Sequence, residues 1–228
     1  MVAASDGGQF DGYVWVPDRG SGTGVLLLQE IFGVGEYIRA VAERLASAGY
    51  TVLAPDLFWR LERGVTLEHD EAGLQRAFEL VGNFDFERGV ADAGAALSHL
   101  RGLPETGGRA GTIGFCLGGR LAWSVASRYD SDFAVSYYGS GIADALEESE
   151  TISCPMLMHF GTEDSYIPIE QINTIRDSLS DRENFEIALH RAGHAFDNHE
   201  APMFYEQVAA REAWGITTRF LKRNTEGQ

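Results

Sequence analysis

Three residues far apart in the chain have the types and the order of a nucleophile, an acid and a base: Cys116, Asp164 and His194. Cys116 stands in Gly114-Phe115-Cys116-Leu117-Gly118-Gly119, after the apolar run Gly111-Thr112-Ile113 and before the helical run Arg120-Leu121-Ala122-Trp123. A strand, a turn of the form small-X-nucleophile-X-small and then a helix is the layout of a nucleophile elbow. The central residue of such a turn is strained, and side chains two positions either side would collide across it. A thiol held there can attack a carbonyl carbon once a base takes its proton and a third group orients that base. Asp164, in Gly161-Thr162-Glu163-Asp164-Ser165-Tyr166-Ile167-Pro168, and His194, in Arg191-Ala192-Gly193-His194-Ala195-Phe196, are of the types that could do so. Singly, each has an ordinary structural role: an inert cysteine beside a turn, a helix N-cap, a structural histidine. Their order, and their shared place in loops that follow strands, favours catalysis.

The elements that must position them read as alternating strands and helices. Short runs rich in apolar and β-branched residues at 13–16, 24–29, 50–54, 112–115, 133–138, 156–160 and 185–190 predict strands. Apolar residues at helical spacing predict helices over 37–48, 86–100, 168–179 and 202–221, the first closed by Gly49. Residues 57–84 are polar and mixed, helical in part, and are the expected cap over a pocket. No repeat or linker divides the chain, so one domain over 1–228 is expected. The pattern predicts an α/β fold with a mostly parallel sheet covered by helices on both faces. In such sheets functional residues collect at the carboxyl ends of the strands.

The chain has 228 residues and a formal net charge of −16, with 34 acidic against 18 basic residues. That balance argues against nucleic acid or an anionic membrane surface as a partner, since both require a basic face. The N-terminus lacks a basic region and a long apolar stretch, and runs such as Val25-Leu26-Leu27-Leu28 are too short to span a bilayer. Two cysteines, Cys116 and Cys154, make no disulfide framework, so a reducing cytoplasm is the expected setting. His190, His194 and His199 could suggest a metal, but a His-X-X-X-His pair needs a helix to align it, and Gly193 beside a β-rich run argues against one. No metal and no cofactor are expected. Cys154, before Pro155 at a strand start, is expected to be packing.

The order nucleophile, acid, histidine is that of the α/β-hydrolases. In that fold Gln29-Glu30-Ile31-Phe32-Gly33 follows its strand where half of the oxyanion hole lies, making the backbone N–H groups of Ile31 and Leu117 the expected donors. Glu30 could be an ordinary surface charge; the alternative is that a carboxylate at that position near a thiol holds the cysteine protonated, or accepts its proton, until substrate displaces it. More closely, the chain resembles the dienelactone hydrolase family, the carboxymethylenebutenolidases. The resemblance runs from Gln29-Glu30-Ile31-Phe32-Gly33-Val34 through Ala54-Pro55-Asp56-Leu57, the elbow, Tyr137-Tyr138-Gly139 and Asp164 with Pro168 to Ala192-Gly193-His194. It implies a single-domain α/β-hydrolase fold, a Cys-His-Asp triad and a part for Glu30 in switching the thiol to thiolate.

The chain departs from the family where substrate is held. The resemblance places one of two carboxylate-gripping arginines in the lid helix and one four residues after the catalytic histidine. Here those positions are Leu74 and Asn198, with Arg76 about 200° further round a helix than Leu74. The expected substrate contacts are Trp59, Arg60, Arg76, Phe196 and Asn198. A cysteine-dependent hydrolase of small-molecule esters or lactones is therefore expected, monomeric or weakly self-associating, with less activity on carboxylate-bearing dienelactones than on neutral esters. The alternative is a non-hydrolytic binding or thiol redox-sensing protein on the same fold.

Overall fold

Runs of Val, Leu and Ile form the buried strands of this chain, and amphipathic stretches between them form its helices, in a computed structural model that describes residues 1–225. The strands are β1 Val2–Ala3, β2 Gln9–Phe10, β3 Gly12–Trp15, β4 Gly24–Leu28, β5 Thr51–Pro55, β6 Ala110–Phe115, β7 Ala134–Tyr137, β8 Met156–Gly161 and β9 Phe185–His190. The α-helices are α1 Glu36–Ser47, α2 Glu71–Gly82, α3 Phe86–Arg101, α4 Leu117–Arg128, α5 Ile169–Ser178 and α6 Gln207–Thr225. β1 and β2 pair by themselves, and the other seven strands lie in the order β3-β5-β4-β6-β7-β8-β9. β3 runs antiparallel to β5, whereas β4–β5, β7–β8 and β8–β9 are parallel. The sheet is thus mixed and mostly parallel, as alternating strands and helices require. Contacts concentrate in two units, Met1–Thr112 and Ile113–Gln228.

In the first unit, β4 and β5 are buried along their whole length, which is why they read as unbroken apolar runs. α1 buries the stripe Tyr37, Ile38, Val41, Ala42 and Leu45. Asp70 and Asp85 cap α2 and α3, each carboxylate accepting from a backbone N–H three residues on, Gly73 at 2.8 Å and Arg88 at 3.1 Å. The stretch expected as a cap is helical over Glu71–Gly82 only. The strap before it is tied down at Gly64, whose N–H donates to Asp56 at 2.7 Å.

In the second unit, β6 runs straight into α4 through Cys116. Two features differ from the sequence expectation. A 3₁₀ segment, Ala143–Thr151, lies where no element was expected. Its Glu148 accepts from Ser124 at 2.7 Å and pairs with Arg120 at 3.0 Å and Arg128 at 2.8 Å, which fastens it to α4. The last helix begins at Gln207 rather than at 202, because residues 201–206 fold back as a turn: the N–H groups of Phe204 and Tyr205 both donate to Ala201, and that of Glu206 donates to Phe196 at 3.0 Å. Among the described residues no helix is long and apolar enough to cross a membrane.

Candidate active site

The sharp exit from β6 is what exposes the thiol. Cys116 has φ 53 and ψ −114, and its N–H donates to the Tyr137 carbonyl at 3.0 Å, fixing the elbow against β7. A Cβ at Gly114 would run into the Gly118 carbonyl, so only glycine fits there. The sulfur stands at the N-terminus of α4, where the helix dipole favours negative charge, and Cys116 is partly exposed while Cys154 is buried. Burial pushes the Cys154 thiol up to about 11, in keeping with a packing role.

The two other predicted residues meet this sulfur. His194 Nε2 lies 3.1 Å from Cys116 Sγ, and His194 Nδ1 lies 2.8 Å from Asp164 Oδ2. The other carboxylate oxygen, Oδ1, accepts from the backbone N–H groups of Tyr166 at 2.7 Å and Ile167 at 3.1 Å. Asp164 is thereby fixed through both oxygens, and Nδ1–H is the proton that His194 gives to it, leaving Nε2 facing sulfur. Burial opposes a charged imidazole, but the hydrogen bonds to Asp164 and Cys116 outweigh it and raise His194 to about 10. The imidazole lies between two tyrosine rings, Tyr138 at 5.2 Å and Tyr166 at 5.0 Å between centroids. Among the described residues the non-glycine positions with positive φ are Cys116, Tyr138 and Ala195, so the strain is gathered at the sulfur and on either side of the imidazole.

A second group of histidines in this unit was not anticipated. His159 on β8 and His190 at the end of β9 hydrogen-bond at 3.0 Å, and His159 Nε2 meets the Thr217 hydroxyl at 2.9 Å, which meets Tyr137 Oη at 2.7 Å. Burial holds both imidazoles below the usual range, His159 well below it. His199 is on the surface, 3.3 Å from Glu200.

The remaining predicted contacts fall elsewhere. Phe196 is fully buried between Tyr138 and His190, and so supports the histidine loop from beneath; it has no face for a substrate. Asn198 is likewise buried, its Oδ1 accepting from Glu200 N–H at 2.9 Å. In the first unit, Arg60 makes two 2.8 Å hydrogen bonds to the buried Asp92 and one of 2.7 Å to Asp6, while Trp59 Nε1 donates to Asp92 at 2.8 Å. Arg76 pairs with Glu62 at 2.7 Å and Glu79 at 2.9 Å on the surface, and Leu74 is on α2. Leu117 opens α4, and Ile31 follows β4 beside Glu30, whose carboxylate meets His69 Nε2 at 3.2 Å. No signal local to sequence links those two residues.

The model of the dienelactone hydrolase family matches residues 10–225. Carboxymethylenebutenolidase 1 of Cupriavidus pinatubonensis is 33% identical over 221 residues, spanning 96% of this chain and 94% of its own. The carboxymethylenebutenolidase of Pseudomonas sp. strain P51 is 36% identical over 225 residues, 97% of this chain and 93% of its own. Among solved structures, a dienelactone hydrolase-like promiscuous phosphotriesterase from metagenomic libraries has a TM-score of 0.82 over 98% of this chain and 97% of its own, at 23% identity, a likeness of fold alone.

Proposed function

The chain belongs to the dienelactone hydrolase family and is a lactone or ester hydrolase, and we propose that it works through a cysteine acyl-enzyme on neutral substrates. The observation that carries this reading is the pair of short contacts at His194, 3.1 Å to the Cys116 sulfur and 2.8 Å to Asp164. The proton of the thiol passes to Nε2 as sulfur attacks the carbonyl carbon. The resulting oxyanion accepts from the N–H of Leu117 at the head of α4, with the N–H of Ile31 as second donor by its place in the family pattern; removal of one such donor typically costs ~10²–10³ in rate. Collapse breaks the C–O bond to the leaving group, and the imidazolium, oriented by Asp164, returns its proton to the leaving oxygen. Water then attacks the thioester, giving its proton to His194, and the acid departs as sulfur is released. Before substrate arrives, Glu30 keeps the thiol in its protonated form, and substrate displaces it.

The preference for neutral substrates rests on charge. Asn198 and Leu74 bring no positive charge to a carboxylate, and Arg60 and Arg76 already hold carboxylates of this chain. A redox-sensing role uses a reactive thiol but has no need of an oriented base, and so accounts less well for Asp164. Cys116→Ala is expected to abolish turnover of p-nitrophenyl acetate, by at least ~10⁴-fold, with the melting transition kept. Rapid quenching of the wild-type protein is expected to show the acetyl mass on the peptide that holds Cys116. Retained turnover in the variant ends this reading, and a high kcat/KM on an anionic dienelactone ends its charge preference.

A further inference from the structure

The loop after β4 buries a carboxylate. The Glu30 side chain is 3% exposed, and a carboxylate so deep must be paired or give up its charge. Its partner is His69, from the strap that precedes α2, whose own side chain is 11% exposed.

Both groups are held by their backbones. The His69 ring packs on Phe32 with 4.1 Å between centroids. Leu67 N–H donates to the Phe32 carbonyl at 3.0 Å, and Thr66 bridges Gly33. Gly33 has φ 82, and a Cβ on it would meet the Val65 carbonyl, so loop and strap touch backbone to backbone. On the other side the Gln29 amide donates to the Glu30 carbonyl at 3.3 Å and accepts from Leu57 N–H at 3.3 Å. A surface strap with no role toward Glu30 has no reason to bury an imidazole against this carboxylate. Residues 57–84 therefore include more than a cover: they deliver a donor to Glu30.

We propose that His69 is a positioning residue for Glu30, holding its Oε1 by a hydrogen bond and drawing the carboxylate away from the thiol, so that the thiolate forms more readily. This rests on the role given above to Glu30. An imidazole suits the task because it donates a charge-assisted hydrogen bond when protonated and can share one proton with the carboxylate. Without His69 the carboxylate has less reason to leave the thiol, so the thiolate forms less readily. Substrate binding is untouched.

The test follows Cys116 alkylation by iodoacetamide together with steady-state kinetics on p-nitrophenyl acetate. His69→Phe keeps a ring on Phe32 and loses the hydrogen bond. It is expected to slow alkylation and lower kcat by roughly tenfold, the worth of one charge-assisted hydrogen bond, with KM little changed. His69→Gln, which can still donate, is expected to recover most of the loss. Glu30→Gln removes the carboxylate and is expected to speed alkylation; adding His69→Phe to it is expected to change nothing further. If His69→Phe does not fold, His69→Asn, too short to reach Glu30, is read in its place. Wild-type alkylation and kcat in the His69 variant, beside an altered rate in Glu30→Gln, overturn the proposal alone. An unaltered rate in Glu30→Gln overturns the role of Glu30 and the proposal with it.

Discussion

Two histidine sites in the second unit are built from the same side chain and pushed in opposite directions. His159 and His190 are buried and His194 largely so, and burial alone disfavours the charged ring at each. At His194 a fully buried carboxylate and a sulfur reverse the outcome and raise it to about 10. At His159 the partners are another imidazole and a hydroxyl, and nothing reverses it. The depth of an imidazole therefore says little about its charge; the chemistry of its partner decides. A ring whose charged form is stabilised, and which can therefore take up a proton from sulfur, suits catalysis, while a neutral ring beside another imidazole and a hydroxyl suits a core.

The sharpest way to break this contrast is to alter one site and measure both properties. Asp164→Asn is expected to lower kcat/KM on p-nitrophenyl acetate by about 10⁴, because an amide neither fixes the Nδ1–H tautomer nor stabilises the imidazolium. His159→Leu is expected to leave kcat/KM within about threefold and to cost roughly 1–3 kcal/mol in urea unfolding, since the Thr217 hydroxyl and His190 then lose a buried partner. A large kinetic defect in His159→Leu would make the inner histidines part of the chemistry.

The two sites are also expected to leave opposite marks on stability against pH. His159 and His190 are held below the unfolded value of 6.5, so the unfolded chain binds more protons and stability falls as pH drops through about 6.5. His194 is raised above it, so its contribution is complete below 6.5 and is lost as pH rises toward about 10. Each group can supply up to about 1.4 kcal/mol per pH unit within its window. Urea titrations from pH 5 to 10 are expected to show the acid limb flattened in His159→Leu and the alkaline limb flattened in His194→Gln. Parallel curves for both variants would mean that partner chemistry does not separate the sites.

The smallest effect is expected at Tyr166, which is half exposed and covers His194 at 5.0 Å between ring centroids. An aromatic ring within about 6 Å of an imidazolium, here tilted by 57°, is worth about 0.5–1 kcal/mol at such a site, so Tyr166→Ala is expected to lower kcat by roughly two- to fivefold and Tyr166→Phe hardly at all. Equal loss in both variants would point to the hydroxyl instead.

What could be read from sequence was what is local. The elbow is written into six consecutive residues, because steric exclusion at Gly114 and the strained turn at Cys116 are short-range requirements. Asp164 and His194 were legible through their loops after apolar strands, although not their distances to one another. The His159–His190 contact joins residues 31 apart and depends on the parallel register of β8 and β9; His159–Thr217 spans 58 and depends on where α6 lies. His69 meets Glu30 across 39 residues of irregular chain. For Arg60 and Arg76 the sequence offers acidic neighbours in excess but cannot say which carboxylate captures which guanidinium. The start of α6 was misplaced for a related reason: Pro202 suits a first helical turn, yet backbone bonds to Ala201 and Phe196 took the next residues into a tighter fold.

The uncommon backbone angles at Cys116, Tyr138 and Ala195 bear on how the protein meets a reactive molecule. Such conformations persist only where the surroundings dictate them. The backbone that carries the thiol and the imidazole is thus set before any ligand arrives, and what an electrophilic inhibitor still awaits is the departure of the Glu30 side chain alone. Its capture should follow a single exponential whose rate rises in proportion to inhibitor concentration, with no slow rearrangement to set a ceiling.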